Sequence, residues 1–154
     1  MTVLLDFIRQ LASDSPSLRS LQEDVVTFLS RRLPHYHWVG FYMLDPKDPE
    51  TLVLGPFAGE PTPHVRISVH RGICGAAVVA RSSIVVDDVG ADPRYLSCSI
   101  KTRSEIVVPI FVGDKVVGEL DIDSHAPAAF TDADRSFLEE VAQGIGDYIS
   151  LGER

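Results

Sequence analysis

Lys115-Val-Val-Gly-Glu-Leu-Asp-Ile-Asp123 alternates between two kinds of side chain. Successive residues of a strand point to opposite faces of a sheet. Val116, Gly118, Leu120 and Ile122 therefore share one face, and Val117, Glu119, Asp121 and Asp123 share the other. The apolar face must meet other hydrophobic elements, which leaves the acidic face for solvent or a covered pocket. A single carboxylate on an outer strand face is usually just solvated. The pair Asp121 and Asp123 is harder to dismiss, because like charges on one face repel and Asp is a poor strand residue.

The neighbouring segments extend this pattern. Glu105 to Val112 reads as the hairpin partner across Gly113-Asp114, and Glu105 at its start supplies a third carboxylate nearby. In Trp38 to Leu44, Trp38, Gly40, Tyr42 and Leu44 fall on one face and Val39, Phe41 and Met43 on the other. Phe41 and its neighbours read as core. Trp38 and Tyr42, with a glycine between them, read as two walls of a slot. Further strands are expected over Thr51 to Phe57, Val65 to Val69 and Ser83 to Val86, with a short helix from about Gly75 to Ala80. Asp87 to Arg103 has little periodicity and reads as a long loop, a kind of segment that is usually functional.

Helical periodicity occupies both ends. Val3, Leu4, Phe7, Ile8 and Leu11 repeat at helical spacing, as do Leu18, Leu21, Val25, Phe28 and Leu29 before Pro34. Thr131 caps a last helix with Asp134 three residues on, ahead of a stripe from Phe137 to Ile149. The layout is α+β, a largely antiparallel sheet with the N- and C-terminal helices on one face and a ligand pocket on the other. No linker or repeat divides residues 1–154, which read as a single domain.

With 154 residues, 45% of them hydrophobic, the chain can bury one core without disulfides or metal. A net charge of −8 argues against nucleic acid or an anionic membrane as a partner. The start, Met1-Thr-Val-Leu-Leu-Asp6, has no signal-peptide pattern, and no apolar run is long enough to span a bilayer, so a cytoplasmic setting is expected. No phosphate loop is present, and the five histidines lack metal spacing, His35-x-His37 being weak evidence. Neither metal nor cofactor is expected.

Cys74 and Cys98 stand 24 residues apart, which is neither a C-x-x-C pair nor a zinc spacing. Cys74 precedes the short helix, where a helix start and Arg71 or Lys101 would lower a thiol pKa, although a lone cysteine there is more often a small buried hydrophobe. Cys98, between Ser97 and Ser99, reads as exposed and as the better candidate for reactivity. Aromatics and carboxylates on one sheet face suit a small ligand carrying an ammonium group.

Trp38-Val-Gly-Phe-Tyr42, Leu54-Gly-Pro-Phe57, Arg71-Gly-Ile-Cys-Gly75, Ser104-Glu-Ile-Val-Val-Pro109, Gly118-Glu-Leu-Asp-Ile-Asp-Ser124 and Phe130-Thr-Asp-x-Asp134 together resemble the GAF-domain free methionine-(R)-sulfoxide reductases along essentially the whole chain. The resemblance implies a reductase of free methionine-(R)-sulfoxide recycled by thioredoxin. It implies Cys98 as nucleophile and Cys74 as resolving cysteine. It also implies Trp38 and Tyr42 as the aromatic wall and Glu105, Asp121 and Asp123 as the acids that hold substrate. Members of that family are usually dimers, which implies a homodimer. Many carry a third, resolving cysteine where His64 stands here, so resolution falls to Cys74 or an external thiol. A non-catalytic GAF sensor of a small molecule is the alternative.

Overall fold

The computed structural model describes residues 1–97 and 99–152. Two helices, α1 (Thr2–Asp14) and α2 (Leu18–Arg32), lead into the hairpin β1 (Trp38–Asp45) and β2 (Asp48–Ala58). Short strand β3 (Arg66–Ser68), helix α3 (Gly72–Ala80) and strand β4 (Ile84–Val86) follow, then the hairpin β5 (Ser104–Val112) and β6 (Lys115–Ser124), and finally α4 (Asp132–Gly152). The six strands make one antiparallel sheet in the order β3-β2-β1-β6-β5-β4. Among its described residues, the segment from Asp87 to Arg103 holds a single 3-10 turn, Val89–Ala91.

The alternation read in β6 sorts the two faces. Leu120 and Ile122 pack with Val39, Phe41, Ile106, Val108 and Ile110 beneath α1, α2 and α4. Each fully buried aliphatic side chain there contributes on the order of 1.5–3 kcal/mol. Leu21, Val25 and Leu29 of α2 and Phe137, Leu138, Val141 and Ile145 of α4 supply the facing side. α4 comes close to the sheet because position 146 is glycine: a Cβ there would stand 2.1 Å from the Phe111 carbonyl oxygen. Its start is a reciprocal cap, with the Thr131 N–H donating to Asp134 Oδ2 (2.9 Å) and the Asp134 N–H donating to Thr131 Oγ1 (3.3 Å). No helix among the described residues is long and apolar enough to cross a membrane.

The opposite face of the sheet is covered too. α3 lies over it, and Trp38, Tyr42, Leu52, Ile67, Ile73, Ala77 and Val107 form a second, smaller core. α3 begins at Gly72, three residues before the start read from sequence, with the Gly75 N–H bonded to the Arg71 carbonyl at 3.2 Å. Glycines at 72 and 75 are poor helix formers, so local propensity places the start too late. Cys74 is thus inside the first turn, not ahead of it.

Candidate functional site

The site is assembled by strand register. In the β1–β6 pair, Trp38 stands opposite Asp123, Gly40 opposite Asp121, and Tyr42 opposite Glu119. In the β5–β6 pair, Glu105 stands opposite Asp123. Directly opposed residues share a sheet face, so an aromatic–glycine–aromatic row lies beside a row of three acids, with Glu105 beyond. All four carboxyl side chains are buried, Glu119 completely.

The glycine lets an aromatic ring lie flat on the strand, so the space read from sequence as a slot between Trp38 and Tyr42 is filled by the Trp38 ring itself. A Cβ on residue 40 would stand 2.3 Å from Trp38 Cη2, so the Trp38 ring occupies the space over the backbone of Gly40. Its centroid is 6.3 Å from that of Tyr42, and Phe57 stacks on it at 5.6 Å. The polar tips are tied back to one segment. Trp38 Nε1–H donates to the Glu60 carbonyl (2.9 Å) and the Tyr42 hydroxyl donates to the His64 carbonyl (2.8 Å). His64 Nε2 in turn lies 3.0 Å from the carbonyl oxygen of Ser97.

α3 brings Cys74 down onto the acids. Its thiol donates to Asp121 Oδ2 at 3.5 Å, and one ligand atom from each of Cys74, Glu105 and Asp121 falls within 4.8 Å of the others. Among the described residues, Asp121 Oδ1, Asp123 Oδ1 and both Glu119 oxygens have no hydrogen-bond partner, and no Lys, Arg or His forms an ion pair with any of the four acids. Burial pushes the Glu105 carboxyl well up, and the charges of Asp121 and Asp123 push it further. Burial raises Glu119 and Asp123 in the same way, with the Asp121 charge adding to both. Asp121 is raised by burial although hydrogen bonds with Glu105 and Cys74 oppose the rise. Such a cluster keeps a proton available near neutrality and attracts a cation.

The thiol expectations fare differently. Cys74 is buried, and burial followed by the charges of Asp121, Glu119 and Glu105 drives its pKa well above the ordinary value. The lowering expected from a helix start is overturned: the helix is short, and three buried carboxyls outweigh it. Lys101 does not help, since its ammonium pairs with Glu60 at 3.3 Å. Cys98, read from sequence as exposed, lies outside the described residues.

Sequence reasoning placed Glu119 on the acidic face without singling it out, because nothing local distinguishes it from a solvated carboxylate. It weighed His37 only as half of a weak metal spacing and gave His125 no role, yet their rings stack at 3.8 Å beside Trp38 and Asp123. His37 Nδ1 accepts from the His125 N–H at 3.0 Å, and His35 Nε2 lies 3.4 Å from Asp134 Oδ1. The space over the acids is small. A cavity of about 20 Å³ lies among Tyr42, His64, Cys74, Leu96, Glu105 and Asp121, and one of about 50 Å³ lies beyond Trp38. A groove of about 540 Å³ between α1 and α4 touches none of these acids.

A six-stranded antiparallel sheet with helices beneath it and a small covered site above it is the architecture of GAF domains. Residues 15–150 match the GAF domain family, and the chain belongs to it. A free methionine-R-sulfoxide reductase of Escherichia coli is 38% identical over 136 residues, 88% of this chain and 79% of the relative. The free methionine-R-sulfoxide reductase of Neisseria meningitidis, solved with its substrate, superposes with a TM-score of 0.91 at 33% identity, over 98% of this chain and 90% of that one. The reduced form of Staphylococcus aureus fRMsr gives a TM-score of 0.88 at 36% identity, over 96% and 94% of the two chains. Within the GAF domains, the chain belongs to the free methionine-R-sulfoxide reductase family.

Proposed function

We propose that this protein reduces free methionine-(R)-sulfoxide to methionine, in the cytoplasm and as a homodimer. The observation that carries the reading is the set of four buried, uncompensated carboxyls facing an aromatic wall, with a thiol against them. An ammonium group supplies the charge that these acids lack, and the flat faces of Trp38 and Tyr42 suit the methyl and sulfur end of the amino acid. Glu105, Asp121 and Asp123 hold the ammonium, and one protonated member of the cluster donates to the sulfoxide oxygen.

In this reading the Cys98 thiolate attacks the sulfoxide sulfur. The oxygen passes to the Cys98 sulfur as methionine leaves, so the substrate is reduced and Cys98 becomes a sulfenic acid. Cys74 then displaces that hydroxyl, forming a disulfide and releasing water. Thioredoxin exchanges its dithiol for the disulfide and restores both thiols. The raised pKa of Cys74 argues against it as the first nucleophile, because a thiol kept protonated attacks poorly. A cavity of about 20 Å³ does not admit an amino acid, so Leu96 and His64 withdraw as substrate enters. Exposed Val3 and Phe7 on α1 and Leu151 on α4 offer an apolar surface for the dimer.

The test is stereospecific consumption of free methionine sulfoxide by the purified protein with dithiothreitol. The R epimer disappears, the S epimer persists, and Cys98→Ser abolishes turnover. Full turnover by Cys98→Ser would overturn the mechanism. Cys74→Ser is expected to lose thioredoxin-dependent cycling while keeping a single burst; unchanged cycling would remove Cys74 from the resolving role.

A further inference from the structure

Cys74 and the acids beside it have a second chemistry open to them. The Cys74 sulfur and Asp121 Oδ2 stand 3.5 Å apart, and one ligand atom each from Cys74, Glu105 and Asp121 lie within 4.8 Å of one another. Two ligands of one tetrahedral zinc ion, at roughly 2.3 Å for thiolate and 2.0–2.2 Å for carboxylate, are separated by about 3.5 Å. The thiol and Asp121 already stand at the spacing that a shared ion imposes, and Glu105 needs to move by only about an ångström to join them.

Two further observations point the same way. Asp121 is 3% exposed, lines the cavity beneath α3, and leaves Oδ1 without a hydrogen-bond partner. A buried carboxyl oxygen in that state is costly, and a cation held by both oxygens of Asp121 satisfies it. The cavity measures about 20 Å³, which admits one body the size of a water molecule or a bare ion. The space that excludes an amino acid therefore suits a metal ion.

We propose that Cys74, Glu105 and Asp121 bind a thiophilic divalent cation of the zinc class when no amino acid is present. One thiolate with two carboxylates in a compact array favours zinc over magnesium or calcium, which take six or more oxygen ligands. Binding replaces the thiol proton of Cys74, which passes to solvent, and neutralises the carboxyls around it. The cation occupies the place assigned above to the substrate ammonium, so ion and amino acid exclude each other. Only this exclusion rests on the reading of the pocket as an amino-acid site; the ion binding does not.

Cobalt(II) is the probe, because a cobalt–thiolate bond is coloured. Added to the reduced protein in buffer free of thiols and chelators, one equivalent should give a sulfur-to-metal charge-transfer band in the near ultraviolet and tetrahedral bands in the visible. One equivalent of Zn²⁺ should displace both. Cys98→Ser should keep the signal, Cys74→Ser should lose it, and Asp121→Asn should weaken cobalt binding by about tenfold or more. Saturating free methionine should raise the cobalt concentration needed by about tenfold beyond the shift given by glycine at the same concentration, which chelates cobalt in the same way, a test that uses only the wild-type fold. No band in the wild type at millimolar cobalt, or a band that survives Cys74→Ser, overturns the site. A titration unmoved by methionine overturns the exclusion. Turnover of metal-free protein with dithiothreitol is measured separately: a band without turnover defeats the reductase reading alone, and turnover without a band defeats the metal site alone.

Discussion

One buried carboxyl lies on one side of the sheet and four on the other, and the fold treats the two sides in opposite ways. On the helix side, Asp134 is 4% exposed and meets the Tyr36 hydroxyl at 2.6 Å, the Thr131 N–H and hydroxyl at 2.9 Å each, and His35 Nε2 at 3.4 Å. Burial alone would raise its pKa, but these bonds outweigh burial and hold it below the usual value. On the α3 side, Glu105, Glu119, Asp121 and Asp123 are as deeply buried, yet four of their oxygens find no partner among the described residues and all four groups are pushed up. Burial is common to both sets. The supply of donors is what separates an acid that fastens a helix from acids that await a cation.

The largest effect should come from the unsatisfied set. Asp121→Asn or Glu105→Gln should lower kcat/KM for free methionine-(R)-sulfoxide by about 10²–10³-fold, the usual scale for losing a proton donor or an electrostatic contact in a site. The same substitutions should leave the unfolding free energy unchanged or higher, because each removes a buried group that repels its neighbours. Sulfoxide consumption and urea unfolding, measured on the same preparations, check both halves. A parallel loss of stability would erase the contrast with Asp134.

Asp134→Asn is the mirror experiment. It removes the acceptor of a cap and of a buried tyrosine, at about 2–4 kcal/mol of stability. Activity per folded molecule should not change, since Asp134 touches none of the site residues. The pH dependence of unfolding then separates the two sets by sign. The depressed Asp134 contributes stability that is complete above the ordinary carboxyl range and is lost as pH falls through its folded value, below about pH 4. The raised cluster behaves inversely. Its contribution is complete below the ordinary carboxyl range and is lost as pH rises from about pH 4 through the raised values. Asp134→Asn should therefore flatten the acid limb of the stability profile, and Glu105→Gln the neutral limb. Both variants flattening one limb would show that the two sets are not distinct.

What could be read from the chain follows the range of the interactions involved. Alternation within β6 and β1 placed Leu120, Ile122 and Phe41 toward the helices and Asp121, Asp123, Trp38 and Tyr42 away from them, because a strand's two faces are a local property. The cap between Thr131 and Asp134 was legible for the same reason. Register was not. That Gly40 falls opposite Asp121, and Tyr42 opposite Glu119, depends on pairing strands some eighty residues apart. Which elements cover the acidic face was equally hidden, so Glu119 was not singled out from its neighbours. Cys74 is the small buried hydrophobe that a lone cysteine there usually is, but the lowering expected of its thiol at a helix start is reversed. Both outcomes have one cause: the charge and solvent around a side chain are set by elements distant in sequence.

The smallest effect is the most discriminating test of the satisfied set. Tyr36 is buried with its ring against His35 and Phe130, at centroid distances of 4.6 and 5.6 Å. Tyr36→Phe keeps that packing and removes only the donor to Asp134, which still accepts from both Thr131 groups. The loss should be about 1.5–3 kcal/mol, the usual worth of a hydrogen bond to a charged acceptor. If Asp134 is stabilised by its donors jointly, Tyr36→Phe combined with Asp134→Asn costs less than the two single losses added together, because the second change removes a partner already absent. Strict additivity would mean that the tyrosine hydroxyl and the carboxylate act independently despite their 2.6 Å contact. The low pKa of Asp134 would then rest on the cap alone, and the difference between the two sides of the sheet would reduce to one helix terminus.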